Sequence, residues 1–402
     1  MVPAPGAIGT LDRSKRSQLS GIYFVTFLAF SAIVPYLALY YASLGFTGVQ
    51  IGALLGVGPL VSLLATPFWT SLADSRNRHR AVLAGGILSL VFIYALFPAL
   101  VSFDQILIAV ALLALLSSHV LPLQDSAVMF MLGEQRDRYG RIRAWGTIGW
   151  GIGAPLFGVL YNVFGLGWMF GAISLVMLIN LFQVRRLEFE QVSQTIPIFS
   201  GLRQLLRDSR WLLLFLAAFV AAIGLSAGTG YLALLLGSMG SQARTLFGLV
   251  APASALVGIA LALATMSELP IMLFSKPLIL SLGDRGLLLT SLFVGGLRNL
   301  IYAFSASAWQ ILLAQLLHGF TFALLWLAGI NYVAKHAPRG LTATTQGLFS
   351  TVLLGFGLAA GNLFNGLMMD LVGIGSMFAV SGAVVFLGLF IVFVLNKRIR
   401  AF

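Results

Sequence analysis

The stretch WLLLFLAAFVAAIGLSAGTGYLALLLG, residues 211–237, decides the fold class, because it runs for 27 residues without Asp, Glu, Lys, Arg or His. A helix of about 20 such residues crosses the roughly 30 Å hydrocarbon core of a bilayer. Similar runs recur along the 402-residue chain, which is 59% hydrophobic and only 9% charged. Soluble domains of this length do not reach a mean hydropathy of +0.99. The sequence therefore predicts an integral membrane protein.

Twelve apolar runs are long enough to span a membrane, and none alternates polar and apolar residues as a barrel strand would. Because backbone groups cannot be left unpaired in lipid, each run is predicted to be a helix. The expected fold class is an all-α membrane protein of twelve transmembrane helices. The predicted runs are 20–43, 49–70, 80–101, 104–132, 141–163, 168–184, 211–237, 246–275, 286–305, 309–334, 341–368 and 373–396.

An internal repeat divides the chain into two halves. The tetrapeptide Tyr-Leu-Ala-Leu at 36–39 recurs at 231–234, and glycines at 153, 158, 165 and 167 recur at the same spacing from 361. We therefore expect two pseudo-symmetric six-helix bundles, 1–190 and 211–402. A cytoplasmic linker, 191–210, joins them, with a short amphipathic helix near 199–211. Duplicated halves of transporters rock around a site near the bilayer midplane.

The net charge of +12 is explained by membrane topology and does not require a polyanionic partner. With the N-terminus inside, 22 of the 24 Lys and Arg fall in inner loops or tails; Arg244 lies outside and Arg298 within the membrane. This distribution predicts a cytoplasmic (inner) membrane protein with both termini in the cytoplasm and no nucleic-acid partner. With no cysteine and no metal-ligand spacing, we expect no metal and no cofactor. The expected partners are a small solute, protons and the lipid bilayer, and the chain is expected to be a monomer.

Four ionisable side chains interrupt the apolar runs: Asp125, Glu268, Arg298 and His318. A charge inside the membrane costs several kcal/mol unless it faces a partner or water, so such residues indicate a substrate or proton site. Residues equidistant from a tight turn between antiparallel helices lie at equal depth. Three pairs meet this condition: Asp125 with Arg143 about Glu134, Glu268 with Arg298 about Gly283, and Arg298 with His318 about Ala308.

These residues receive provisional roles. Glu268 is the expected protonatable carboxylate, because burial favours its neutral form whereas a nearby Arg298 favours the charged form. Asp125 and Arg143 are candidates for solute binding, and Trp150, two helical turns after Arg143, could stack on a ring. The alternatives are interhelical ion pairs that only fix packing, a snorkelling Arg143 and an interfacial Trp150.

Two weaker candidates complete the set. His119 is a further possible solute ligand, although a lone histidine beside Ser117 and Ser118 is more often a satisfied neutral donor. Asp74 is followed by three arginines and is interpreted as a conformational latch, with a solvated loop charge as the alternative. The arginines are Arg76, Arg78 and Arg80.

The sequence resembles the major facilitator superfamily, and within it the lactose-permease-like proton symporters, including the phenylpropionate permease and nucleoside symporter groups. Residues 143–150, RAWGTIGW, preceded by Asp125, look like that family's sugar-clamping acid, arginine and tryptophan. Glu268, Arg298 and His318 look like its proton-coupling cluster, and residues 72–74 with the following arginines are similar to the superfamily's loop signature. The resemblance implies the major facilitator fold.

Two positions depart from the resemblance. Thr321 stands where lactose permeases carry a second carboxylate one turn after the histidine, and Thr70 replaces the leading glycine of the loop signature. Because of the first departure, Glu268 or Asp125 would have to take the role of that carboxylate in proton release.

Three functions are compatible with the sequence. The first is proton-driven symport that imports a small organic solute such as a sugar, nucleoside or aromatic acid, by alternating access. The second is a proton-coupled efflux antiporter of drugs or metabolites, because residues 153–158 partly resemble an exporter signature. The third is a membrane enzyme or sensor. No catalytic motif supports the third, so we expect the chain not to be an enzyme.

Overall fold

The computed structural model describes residues 13–189, 205, 207–338 and 341–399. Within these ranges 11 helices are long and apolar enough to cross a membrane, and a shorter apolar helix of 17 residues makes the twelfth. The predicted twelve-helix fold class is confirmed. We number the helices α1 Ser14–Ser43, α2 Gly48–Arg76, α3 His79–Ala99, α4 Phe103–Gln135, α5 Tyr139–Phe164, α6 Trp168–Val184, α7 Ser209–Ser238, α8 Ala253–Leu273, α9 Ser275–Phe304, α10 Ala308–His336, α11 Thr344–Val372 and α12 Ile374–Ile399.

The start of the eighth run was predicted wrongly. It was placed at residue 246, but a two-stranded antiparallel hairpin occupies this segment, with β1 Thr245–Leu246 and β2 Leu249–Val250. Gly248 adopts a φ of 81° in the turn, a left-handed conformation that glycine accepts without strain. The helix begins only at Ala253, after Pro252.

Most of the predicted linker lies outside the described residues, including residues 191–204 and 206, with most of the amphipathic helix expected near 199–211. The described chain resumes with α7, whose first turn is capped by Asp208. The carboxylate of Asp208 accepts a hydrogen bond from the backbone N–H of Arg210 at 2.9 Å.

Several of the twelve helices are interrupted. The first contains a 3₁₀ turn at Val34–Tyr36, and α9 bends at Gly283, which has a φ of 64°. Three helices widen into a π turn: α7 at Ala227–Tyr231, α10 at Gly319–Ala323 and α11 at Thr351–Gly357. Within the described ranges all three π turns belong to the second half of the chain.

The sequence repeat is also a structural repeat. The hydroxyl of Tyr36 in α1 donates to the carbonyl of Ala154 in α5 at 2.5 Å. The hydroxyl of Tyr231 in α7 donates to the carbonyl of Asn362 in α11 at 2.6 Å. Since Tyr231 and Asn362 are the repeat counterparts of Tyr36 and Ala154, each half contains the same interhelical hydrogen bond.

Glycines bring the two halves into contact at one end of the bundle. A Cβ atom at Gly158 of α5 would lie 2.4 Å from the carbonyl oxygen of Ser254 in α8. A Cβ atom at Gly366 of α11 would lie 2.2 Å from the carbonyl oxygen of Gly48 in α2. Neither position has room for a larger residue without a shift of the helices. Both contacts lie opposite the arginine-rich loops that follow α2, α4 and α6, which we call the basic end.

A carboxylate of the second half forms hydrogen bonds to the first half at the same end of the bundle. Asp370, near the end of α11, accepts hydrogen bonds from the backbone N–H groups of Gly48 at 2.5 Å and Val49 at 2.8 Å. These are among the donors in the first turn of α2 that have no partner within the helix. The charge also complements the positive end of the helix dipole. The two halves are therefore closed together at the end opposite the basic end.

Candidate functional site

In the first half, a buried polar ring fixes the orientation of α4 beside the candidate acid. Gln124 is fully buried and accepts a hydrogen bond from Thr26 of α1 at 3.0 Å, while it donates to Asn180 of α6 at 3.0 Å. Because buried polar groups must be satisfied, this ring restrains the rotation of α4. The next residue, Asp125, is half-buried and accepts a hydrogen bond from the hydroxyl of Tyr23.

Arg143 approaches the same tyrosine without pairing with the acid. Its guanidinium carbon lies 4.1 Å from the ring centroid of Phe27 and 5.2 Å from that of Tyr23. These are cation–π distances. No direct ion pair joins Asp125 and Arg143, both of which lie in the described ranges, and the two residues are instead connected by their contacts with Tyr23. Arg143 is half-exposed, which leaves guanidinium donors accessible to a solute.

Trp150 and His119 lie in different surroundings. Trp150 is half-exposed on α5, next to Gly151, whose Cβ atom would lie 3.5 Å from a Thr265 methyl group of α8. It is therefore close to the boundary between the halves. His119 is 1% exposed, and its Nε2 lies 2.9 Å from the carbonyl oxygen of Val82.

The structure does not bring His119 together with the other candidate solute ligands. Its ring packs 5.3 Å from Trp69, and it lines a cavity among α2, α3 and α4. Neither Asp125 nor Arg143 lines that cavity. The prediction of His119 as a solute ligand therefore finds no geometric support.

In the second half, the three predicted residues form one hydrogen-bonded series. Nε2 of His318 lies 2.9 Å from Oε1 of Glu268, and Nδ1 of His318 lies 2.8 Å from a terminal nitrogen of Arg298. The other terminal nitrogen of Arg298 donates to Gln315 at 2.6 Å. Glu268 and Arg298 are thus connected through His318.

The arginine fixes the tautomer of the histidine. A guanidinium has donors only, so Nδ1 of His318 must accept from Arg298, and the imidazole proton is on Nε2. The imidazole then donates to the carboxylate of Glu268. The tautomer is assigned by this donor and acceptor balance.

Exposure falls steadily along the series. The side chain of Glu268 is 23% exposed and that of His318 is 14% exposed, whereas Arg298 is 6% exposed and Gln315 is fully buried. Glu268 is therefore the member that water or a solute reaches first. The sequence could have indicated Gln315, since it lies three residues before His318 on the same helix face.

Thr321 has a role within its own helix. Its hydroxyl donates to the carbonyl oxygen of His318 at 2.7 Å, inside the π turn of α10. This bond uses the hydroxyl proton, so Thr321 does not extend the series as a carboxylate at this position would.

The candidate residues of the two halves lie at a similar level. The two helices that meet at the closed end, α5 and α8, run antiparallel, with Gly151 against Thr265. Glu268 lies about one turn beyond Thr265 toward the basic end. It is therefore level with the Arg143–Trp150 segment of α5, and one solute between the halves could reach both sets.

The predicted latch has an unexpected partner. Oδ1 of Asp74 lies 2.7 Å from Nε2 of His79, and the His79 ring stacks on Phe189 at 5.2 Å. Sequence reasoning assigned Asp74 to arginines instead. His79 was missed because the chain turns sharply at Asn77, whose φ is 48°, and this turn brings the first residue of α3 back to Asp74.

The three predicted arginines make other contacts. Arg80 donates to the carbonyl oxygen of Leu187 at 2.8 Å, which ties α3 to the segment after α6. Arg76 and Arg78 line cavities, and in the described part of the chain neither forms an ion pair.

Comparison with known proteins shows relatives over most of the chain. The chain is 25% identical over 389 residues to the maltose permease of Geobacillus stearothermophilus, with 94% of each chain covered. It is 26% identical over 367 residues to the probable 3-phenylpropionic acid transporter of Escherichia coli, covering 88% of this chain and 91% of the relative. The crystal structure of the D323A mutant of nucleoside transporter NupG matches with a TM-score of 0.85 at 17% identity, covering 94% of this chain and 99% of that one, and shows the same fold.

The sequence model of the MFS_1 like family matches residues 17–380, which include every membrane helix except the end of α12 and the first residues of α1. The chain therefore belongs to the MFS_1 like family and is a multi-pass membrane transporter of the major facilitator superfamily.

Proposed function

We propose that this transporter is a proton-coupled symporter that imports a small organic solute such as a sugar, nucleoside or aromatic acid. The observation that carries the proposal is the series from Glu268 through His318 to Arg298. We further propose that it works without a cofactor, as a monomer, in the cytoplasmic membrane with both termini inside. Catalysis has no part in this proposal.

Within the series, Glu268 is the group suited to load and release a proton. His318 cannot take a second proton while Arg298 donates to its Nδ1, because two donors would then face each other. Glu268 has no such restriction and is the most exposed member. Protonation removes its charge and weakens its attraction for the proton on Nε2 of His318, so the proton changes the contact between α8 and α10.

The solute would bind on the other side of the boundary between the halves. Arg143 offers planar paired donors, Asp125 offers an acceptor and Trp150 offers a ring face. At this level of the bundle the negative charges of two acids, Asp125 and Glu268, balance the positive charges of two arginines, Arg143 and Arg298. This balance suits a neutral polar solute or a small acid that binds in its protonated form. The names of the maltose and 3-phenylpropionic acid relatives support these two substrate classes.

Alternating access requires that the two ends of the bundle open in turn. With the basic end placed in the cytoplasm, the end closed by Gly158, Gly366 and Asp370 faces outward. The arrangement then corresponds to the state that receives or releases solute on the inside.

Purified protein in proteoliposomes tests the coupling. Maltose, a nucleoside and 3-phenylpropionate are offered separately, with and without an imposed inward proton gradient. We expect one of them to accumulate only with the gradient. Glu268→Gln should abolish accumulation while exchange across the membrane continues, because a permanently neutral side chain cannot release a proton. Glu188→Gln, at an exposed acid near the basic end, is the control.

Two results would contradict the proposal. Full accumulation by Glu268→Gln would remove the residue from coupling. Gradient-driven accumulation in inside-out vesicles, together with no uptake by whole cells, would reverse the direction and make the protein an exporter.

A further inference from the structure

A strongly basic cavity lies at the basic end, away from the candidate transport site. It has a volume of about 550 Å³ and is formed by the turn before α3, the first residues of α3 and the end of α6. Its polar lining includes Arg78, His79, Arg80 and Arg185, and Phe189 forms one wall. Neither the solute-binding candidates nor the proton-coupling series contributes to it.

Within the described part of the chain, the three arginines of this cavity form no ion pair. Neither Arg78 nor Arg185 forms an ion pair with a carboxylate there, and both side chains are exposed. Asp74, one of the acids near the cavity, lies 2.7 Å from His79. The 18-residue helical segment that begins at His79 also has no side-chain cap, so its first N–H groups point at the same region. Such a set of donors fits a phosphate group.

An apolar groove continues from the basic cavity. A second cavity of about 300 Å³ shares Arg78 and Ala81 with the first and follows α3 as far as Ser89. From Ala81 to Ser89 is about 12 Å at helical rise. This second cavity is the one that His119 lines, and apart from His119 and Arg76 its walls are mainly apolar, with Leu72 of α2, Val82 of α3 and Leu116 of α4.

A glycine keeps the groove open. A Cβ atom at Gly85 would meet no other atom within 4 Å, so nothing fills the space that a side chain would take there. The residue is exposed, although it lies about two turns inside a membrane helix. An exposed apolar groove at this depth is accessible to an acyl chain.

We propose that these two cavities together bind one anionic phospholipid of the leaflet at the basic end, with its phosphate among Arg78, Arg80 and Arg185 and one acyl chain along Gly85. Basic pockets between membrane helices favour anionic headgroups, and juxtamembrane arginines are attracted to anionic lipid. Inorganic phosphate would satisfy the basic cavity alone. The continuous apolar groove is what favours a lipid over a free anion.

Binding to the full-length protein in detergent tests the proposal by native mass spectrometry and by thermal unfolding. The probes are phosphatidylglycerol, phosphatidylcholine with the same acyl chains, and inorganic phosphate. We expect phosphatidylglycerol to bind at least tenfold more tightly than either of the others and to raise the melting temperature. Arg78→Gln combined with Arg185→Gln should lose that preference. Lys397→Gln, which removes a charge at the same end on α12, is the control.

Gly85→Leu separates the two parts of the site. It leaves the arginines in place and fills the groove, so it should weaken binding of phosphatidylglycerol while inorganic phosphate binds as before. If the double arginine variant does not fold, Arg185→Gln alone and Gly85→Leu carry the test. Unchanged preference for phosphatidylglycerol in these variants would overturn the proposal. Equal stabilisation by phosphate alone would show a simple anion site and would also overturn it.

Discussion

Asp370→Asn is predicted to shift the transporter away from the state closed at the end opposite the basic end. The carboxylate of Asp370 accepts from the N–H groups of Gly48 at 2.5 Å and Val49 at 2.8 Å across the boundary between the halves. Asparagine keeps one acceptor but loses the other and the charge. Hydrogen bonds to a charged group contribute about 1.5–3 kcal/mol when buried, and the helix-terminus effect adds about 0.3–1 kcal/mol.

The exposure of Asp370 reduces these values, since water competes for the same donors. We therefore expect a loss of about 1–2 kcal/mol from the closed state, and a change of this size alters an equilibrium ratio by about 5–30-fold. The ratio of closed to open molecules should fall by that factor, while the fold itself is retained.

A single introduced thiol reports the ratio, because the chain contains no cysteine of its own. Ser254→Cys places it where α8 meets Gly158 of α5, at a residue that is 8% exposed in the closed state. A membrane-impermeant maleimide added on that side should label it about 5–30-fold faster when Asp370→Asn is present. Asp104→Asn is the matched control, because Asp104 is also an acid in the first turn of a helix near the same end.

Equal labelling rates with and without Asp370→Asn would refute the reasoning, as would an equal acceleration by Asp104→Asn. The first result would mean that the glycine contacts alone hold this end closed. The second would mean that net charge at this end, rather than the capping contact, sets the ratio.

Two further predictions concern the solute site and the glycine contacts. Arg143→Lys should weaken solute binding by about 10–100-fold, measured by equilibrium binding, because an ammonium group cannot reproduce the paired donors of a guanidinium; unchanged affinity would remove Arg143 from the site. Gly158→Ala should slow solute exchange about tenfold or more, because its Cβ atom would lie 2.4 Å from the Ser254 carbonyl oxygen and overpacking costs about 1–3 kcal/mol. Gly140→Ala, where a Cβ atom meets no neighbour within 4 Å, should exchange solute normally.

The twelve helices could be predicted because length and apolar composition alone decide whether a segment crosses a bilayer. Their interruptions could not. The hairpin before α8 depends on a single backbone conformation, with a φ of 81° at Gly248, and the π turns of α7, α10 and α11 leave no mark in the apolar pattern. Averaging hydropathy along the chain does not detect a change confined to one residue.

The candidate site was only partly predictable, since equal depth does not fix the direction of a side chain around its helix. Equal depth correctly indicated that Arg298 and His318 are neighbours, since their side-chain nitrogens lie 2.8 Å apart. Asp125 and Arg143 form no direct ion pair; both contact Tyr23 of α1 instead.

The contacts of Asp370 and His79 could not be predicted because they depend on tertiary structure. Asp370 accepts a hydrogen bond from Val49, which lies 321 residues earlier in the chain. No local sequence pattern specifies which helices of the two halves meet. His79 reaches Asp74 only after the left-handed turn at Asn77.

The three π turns have a mechanical consequence. A π turn holds one more residue than the ordinary helical turn, so its gain or loss rotates everything beyond it by about 100° of helix azimuth without breaking the helix. All three of those described belong to the second half, and the one at Gly319–Ala323 begins directly after His318. Among the described residues, this kind of rotation is therefore available to helices of the second half and not to those of the first. In the proposed mechanism, a change at His318 would then rearrange helices inside one bundle before the two bundles move against each other.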